Sequence, residues 1–265
     1  MNFDFPFCMM APTLFFKDEA RIMIRITFSG KSDIGLKRTG NEDTFIINPE
    51  LDFCLVSDGM GGAAAGELAS RIFAETATEV FSGSGIRSGE QTRELVRKAF
   101  NLANKRILDH TENNPVHKGM GCTAELLAFF EDGFALGHIG DSRTYRVRNG
   151  HLKQLTRDHS LVQDQLDQGL ITQSEARNHH LRNVILKAVG VSETLVLDIL
   201  SGRDFDHDVF LLCSDGLTDM VPDPLIMEVL SSKSTLDQKV AHLIQSANSA
   251  GGLDNITVVL CELAL

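Results

Sequence analysis

The stretch TAELLAFFEDGFALGHIGDSRTYRVRNGHLKQLT, residues 123–156, holds two tight-turn signals, Asp132-Gly133 and Asn149-Gly150, each flanked by apolar, β-branched and aromatic residues. Aspartate or asparagine followed by glycine tolerates the positive φ of a two-residue hairpin turn, so the stretch reads as an antiparallel meander. Working outward, TFII (44–47), FCLV (53–56), DVFLLCSDG (208–216) and NITVVLCEL (255–263) read as further strands. Helices fall in blocks between them. GELASRIFAETATEVF (66–81) puts Leu68, Ile72, Thr76 and Val80 on one helical face, and QTRELVRKAFNLANKRILDH (91–110) does the same with Leu95, Val96, Ala99, Ala103 and Ile107. SLVQDQLDQGLITQSEARNHH (160–180) turns helical, with Thr172 and Glu175 spaced as a capping box, and LDQKVAHLIQSANSAGG (236–252) is a helix ended by glycines. Blocks rather than strict strand–helix alternation predict an α+β fold, antiparallel sheets with helices packed outside.

A chain of 265 residues, 43% of them apolar, can bury one large core. We read residues 21–265 as a single domain, with a first strand at RIMIRITF (21–28), and residues 1–20 as an extension ahead of it. The extension is apolar, but it has no Lys or Arg ahead of its apolar part and carries Asp4, Pro6 and Pro12, which argues against a secretory signal. No apolar run approaches the length of a membrane span. A net charge of −11 with no basic run argues against nucleic acid and anionic membrane as partners. Phosphate binding stays open, because divalent cations gathered by acids would dominate the local field. Cys8, Cys54, Cys122, Cys213 and Cys261 form no Cys-x-x-Cys pair and sit mostly in apolar runs, so they read as small buried hydrophobes of a reducing cytoplasm.

An apolar strand running into an acid beside a small residue recurs as LVSDG (55–59), LGHIGDS (136–142) and LLCSDG (211–216). Asp254 stands just before a strand in GGLDNITVVL, and RTGNEDTF adds Glu42 and Asp43. Singly, each aspartate is an ordinary turn former or helix cap. Together, five segments deliver carboxylates to strand edges, and clustered anions need cations. Oxygen-only donor sets suit hard divalent ions such as Mg²⁺ and Mn²⁺.

These motifs resemble the metal-dependent protein serine/threonine phosphatases, the protein phosphatase 2C-like family, in its bacterial form. The resemblance rests on GLKRTGNEDTF (35–45), VSDGMGGAAAGELAS (56–70), GCTAELL (121–127), GHIGDSRTYRVRNGHLKQLTRDHSLV (137–162), LLCSDGLTDMV (211–221) and DNITVVL (254–260), in the family's order. It implies a four-layer αββα sandwich with a metal cluster at one end, and hydrolysis of phosphoserine and phosphothreonine in proteins. It further implies that Asp58 bridges two Mn²⁺ or Mg²⁺ ions with the Gly59 carbonyl as a further ligand. Asp215 and Asp254 would complete one ion's direct ligands, while Glu42 and Asp43 would hold the second, partly through water. Asp141 with Asp215, and Asp219 as an addition, correspond to a third metal site. Arg38, four residues before Glu42, corresponds to the phosphate-binding arginine, and residues 160–190 to a flap beside the cleft. The attacking group would be water activated between the ions, without a covalent intermediate. A counteracting serine/threonine kinase, a cytoplasmic location and a monomeric state complete what the resemblance implies.

Two departures bear on chemistry. Met60 stands where animal members carry a histidine proposed as general acid, so no side chain is assigned that role and a metal-bound water is the expected donor. Ala63 stands where bacterial members commonly carry histidine, which implies altered loop packing or substrate fit rather than lost activity. His138 and His159 read as hydrogen-bonded structural residues. Two alternatives remain, a catalytically inactive binding module of the same fold and another two-metal phosphohydrolase or nuclease; the complete acid set argues against the first and the net charge against a nuclease.

Overall fold

The computed structural model describes residues 25–264 apart from 84, 86, 132 and 178. The 1–20 extension, Cys8, Asp132 and the first part of the 21–28 strand lie outside the described residues. In chain order the strands are β1 (Arg25–Asp33), β2 (Asp43–Asn48), β3 (Phe53–Met60), β4 (Gly121–Cys122), β5 (Ala124–Phe130), β6 (Gly133–Ile139), β7 (Arg143–Arg148), β8 (His151–Gln154), β9 (Asp198–Gly202), β10 (Val209–Cys213) and β11 (Ile256–Ala264). The helices are α1 (Ala63–Phe81), α2 (Gly89–Asn113), α3 (Leu161–Asp167), α4 (Gln173–Arg177), α5 (Asp215–Thr218), α6 (Asp223–Ser231) and α7 (Leu236–Ser249).

One sheet has the order β1-β11-β10-β7-β8, the other β2-β3-β5-β6-β9 with β4 paired to β3. Every pairing is antiparallel. Helices α1 and α2 cover the six-stranded sheet, and α5, α6 and α7 cover the other, which gives the expected αββα layers. The single meander read from residues 123–156 is corrected. Hairpin β5–β6 lies in one sheet and hairpin β7–β8 in the other, because Gly140, at φ 110°, turns the chain from layer to layer. Asp141 therefore sits at the crossing, at one end of the sandwich.

The central strands are apolar without interruption because both faces are buried. On β3, Phe53 and Leu55 face the helices while Cys54 and Val56 face the opposite sheet. On β10, Leu211 and Cys213 point outward and Phe210 and Leu212 inward, and β11 repeats this with Val258 and Leu260 against Val259 and Cys261. The four described cysteines are buried free thiols, and Cys54 and Cys261 meet between the sheets with their sulfurs 3.2 Å apart.

Candidate metal centre

Following the inward-facing rows to the end of the sandwich reaches the site. Strand side chains alternate between faces, so the row Cys54, Val56 continues to Asp58, and the row Ile47, Phe45 continues to Asp43. Asp43 and Asp58 are direct cross-strand partners. The inward rows of β10 and β11 end likewise in Ser214 and Thr257, whose hydroxyls donate to Asp43 Oδ2 at 2.7 and 2.6 Å. Alternation alone thus aims two acids and two hydroxyls into the mouth of the gap between the sheets.

The other acids arrive from loops and helix starts. Asp215 opens α5, Asp141 lies in the crossing turn, and Asp254 precedes β11. Asn255 holds the loop that carries Glu42: its Oδ1 accepts from the Glu42 amide at 2.8 Å, and its Nδ2 donates to the Ile34 and Gly40 carbonyls, both at 3.0 Å. Arg38 Nη2 donates to Asp254 Oδ2 at 2.6 Å from a half-exposed position at the rim.

The carboxylates feel one another. Burial pushes Asp43 up to about 6, with Asp254 adding to the rise. Burial raises Asp141 to about 7, with Asp158 and Asp219 adding to it. Burial holds Asp58 well above the ordinary carboxylate range, reinforced by Asp43, Asp215, Asp141 and Asp254. Asp215 is raised the same way, by burial and then by Asp141, Asp219, Asp254 and Asp43. Glu42 is raised by burial against the pull of Arg38, and Asp219 by burial against Arg182. Asp43 Oδ1, Asp141 Oδ1 and Asp215 Oδ1 are buried without a hydrogen-bond partner. Among the described residues, no three acidic, histidine or cysteine side chains are already drawn together as tightly as around one ion. Three orphaned anionic oxygens, among acids brought in by five segments, nonetheless fit hard divalent cations by donor type and charge.

Gly59 has a steric reason to be glycine. It lies inside β3, and a Cβ there would fall 2.1 Å from the Gly66 carbonyl oxygen and 2.8 Å from that of Glu42. Gly66 answers it, since a Cβ on it would lie 1.7 Å from Glu42 Oε2. The first turn of α1 is thereby pressed against the acid-bearing strand.

Residues 37–260 match the sequence model of the family Protein phosphatase 2C. The chain belongs to that family. It is 37% identical over 236 residues to the serine/threonine phosphatase stp of Listeria monocytogenes, covering 88% of this chain and 94% of the relative. The Mycobacterium tuberculosis serine/threonine phosphatase PstP/Ppp superposes with a TM-score of 0.85 at 33% identity, over 92% of this chain and all of the other. A structure of the PstP catalytic domain in complex with two manganese ions matches with a TM-score of 0.84 at 32% identity, again over 92% and 100%.

Within this phosphatase 2C fold, further residues support the centre that the sequence reading did not single out. Asp58 is locked to β5's lead-in by Thr123, which accepts from the Asp58 amide through Oγ1 at 3.1 Å and donates its own amide to the Asp58 carbonyl at 2.8 Å. Arg143 grips the buried Asp158 with Nε at 2.9 Å and Nη2 at 2.6 Å, which partly offsets the Asp158 charge felt by Asp141. His138 and His159 are structural, as expected. Both are buried, His138 bonded to Glu125 and to the Arg157 carbonyl, His159 to the Gly140 amide and Asp198. The 160–190 segment folds as α3 and α4, with the Thr172–Glu175 capping box formed, and is pinned at its base by bridges Ser160 to Ile185 and Cys122 to Val189. It borders a cleft of about 410 Å³ that also exposes Asp141, Asp215 and Asp219, and Arg182 pairs with Asp219 across it at 3.3 Å. Among the described residues, no helix is long and apolar enough to cross a membrane.

Proposed function

We propose that Asp58, Asp43, Asp215 and Asp254, with Glu42 and the Gly59 carbonyl, hold two Mn²⁺ or Mg²⁺ ions, that Asp141, Asp215 and Asp219 hold a third, and that Arg38 receives the phosphoryl group. By its family the chain is a metal-dependent serine/threonine protein phosphatase. The observation that carries the assignment is the convergence at the mouth of the sandwich of Asp43 and Asp58, aimed there by strand alternation, with Asp141 and Asp215, the Oδ1 atoms of Asp43, Asp141 and Asp215 being buried without partners.

When bound, the ions supply a water acidic enough to be deprotonated near neutral pH and neutralise charge on the phosphoryl oxygens. The chain's own residues do the rest. Ser214 and Thr257 occupy Asp43 Oδ2 and so turn its Oδ1 toward the centre. Asn255 fixes Glu42 through its amide. Arg38 spends Nη2 on Asp254 and presents its remaining N–H donors at the rim, where a guanidinium takes two phosphate oxygens at once. The substrates are phosphoserine and phosphothreonine proteins, a serine/threonine kinase opposes the reaction, and the chain works as a cytoplasmic monomer, domain 21–265 being sufficient for catalysis. The four buried free thiols support a reducing compartment.

The test is phosphate release from a phosphothreonine peptide after chelator treatment, with and without added Mn²⁺ or Mg²⁺. Activity that returns only with metal is expected; metal-independent turnover, or none with metal, overturns the assignment.

A further inference from the structure

Two large apolar side chains stand exposed against the candidate centre. Leu36 is 65% exposed and Leu253 47%. Leu36 lies two residues before Arg38, Leu253 adjoins Asp254, and the Arg38–Asp254 pair joins the two segments at 2.6 Å. The Leu36 amide also donates to the Gly252 carbonyl at 2.8 Å. A Cβ on Gly252 would fall 2.9 Å from Leu36 Cγ, and one on Gly251 would fall 3.7 Å from Leu253 Cδ2 and 3.8 Å from Met220 Sδ. Three apolar side chains therefore gather on the Gly251–Gly252 turn. They extend from the Arg38 rim toward Asp219, whose neighbour is Met220.

A single exposed leucine needs no explanation, but apolar residues grouped on a hydrogen-bonded turn beside a catalytic centre point to something that covers them. None of the three can bind phosphate through its side chain; neither leucine packs into the three cores, and Met220 is partly buried against the core under α5–α7 and forms the inner edge of the patch. We propose that Leu36, Leu253 and Met220 form a subsite for an aliphatic side chain of the substrate, placed within two residues of its phosphoserine or phosphothreonine. The inference rests on the phosphatase reading above. With the phosphoryl group anchored at Arg38, an extended peptide advances by roughly 3.3 Å per residue, so its flanking side chains pass over a patch that begins two residues from that arginine. The patch is continuous with the site that must already hold the substrate. The two glycines beneath it contribute no side chain that would fill it.

The experiment compares phosphothreonine peptides that differ only by Leu or Ser at each of the two positions on either side, with Mn²⁺ saturating, together with p-nitrophenyl phosphate, which has no flanking residue. Covering part of a leucine is worth about tenfold in kcat/KM, so one position should favour Leu by about that factor. In Leu36→Ser and Leu253→Ser the preference should fall to under about threefold, while p-nitrophenyl phosphate turnover stays at the wild-type rate. Peptides hydrolysed with no Leu preference, or with a preference untouched in both variants, would sink the subsite and leave the phosphatase reading standing. Failure of metal-loaded wild type to hydrolyse any of the peptides would sink that reading and the subsite with it.

Discussion

Asp43 and Asp58 face each other directly across the β2–β3 pair, two carboxylates where a sheet ordinarily avoids like charges. Asp43 Oδ1 is buried without a hydrogen-bond partner. Such a pair costs stability unless a cation neutralises it. Asp58→Asn should lower turnover by on the order of a thousandfold, the rate equivalent of several kcal/mol of charge stabilisation. In chelator at neutral pH the variant should be more stable than wild type by about 1 kcal/mol or more, because a buried carboxyl whose ionisation folding disfavours becomes an uncharged amide. Phosphate-release assays and thermal unfolding in chelator check both. Turnover within tenfold of wild type, or a lower melting temperature, would remove Asp58 from the centre.

Gly59 and Gly66 should respond differently to the same added methyl. At Gly59 the Cβ meets backbone, the Gly66 carbonyl at 2.1 Å, so Gly59→Ala should cost about 3 kcal/mol or more through overpacking. At Gly66 the severe clash, 1.7 Å, is with the end of the Glu42 side chain, which can swing away; the Gly59 carbonyl carbon at 2.9 Å needs only a small shift, and alanine in a helix gains up to about 1 kcal/mol over glycine. Gly66→Ala should therefore stay folded and lose metal affinity as Glu42 is displaced. Urea midpoints and Mn²⁺ titrations separate the two. Equal destabilisation in both variants would contradict this account of the contact.

What could be read from sequence followed from how strongly local pattern and burial agree. The strands FCLV and LLCS and the helices near 66–81, 91–110 and 236–252 are apolar on one or both faces, and tertiary packing uses those faces as the pattern says. The DILSG strand β9 is mixed in polarity and half-buried, and α6 begins behind Pro222, so neither announces itself by period. The meander was misread because Asp-Gly and Asn-Gly mark turns but say nothing of which sheet receives the strands. The acids were legible because they recur in one context. Thr123, Asn255, Ser214 and Thr257 were not singled out, because a hydroxyl or amide that orients an acid-bearing segment across 65 to 214 residues leaves only proximity to a motif as its signal.

Arg143 and Asp158 make the second testable electrostatic unit. The carboxylate side chain is 8% exposed and grips both Nε and Nη2, and Arg143 is held protonated by that contact despite burial. Removing the arginine leaves a buried charge beside Asp141, so Arg143→Ala should cost roughly 3 kcal/mol. The Arg143→Ala/Asp158→Ala double variant should recover part of the loss. A double variant less stable than Arg143→Ala by the full cost of Asp158→Ala would show that the pair is not coupled.

His138 gives the fold a pH dependence of its own. Burial pulls its pKa down, but the Glu125 carboxylate and the Arg157 carbonyl outweigh it and hold the imidazole at about 8, against an ordinary 6.5. Glu125, buried beside it, is raised by burial as well, and Thr144 Oγ1 donates to its other oxygen at 2.5 Å. A group whose pKa is raised on folding stabilises fully below its unfolded value and loses that contribution as pH climbs through the folded one. Stability should accordingly be intact below about pH 6.5 and fall by about 2 kcal/mol between there and pH 9. Saturating Mg²⁺ would hold the aspartates of the proposed centre ionised, so the experiment should be run with it. The Glu125→Gln/His138→Gln double variant retains hydrogen-bonding side chains but cannot titrate, and its urea midpoint should be flat over the same range. A decline of equal slope in that variant would place the pH dependence elsewhere.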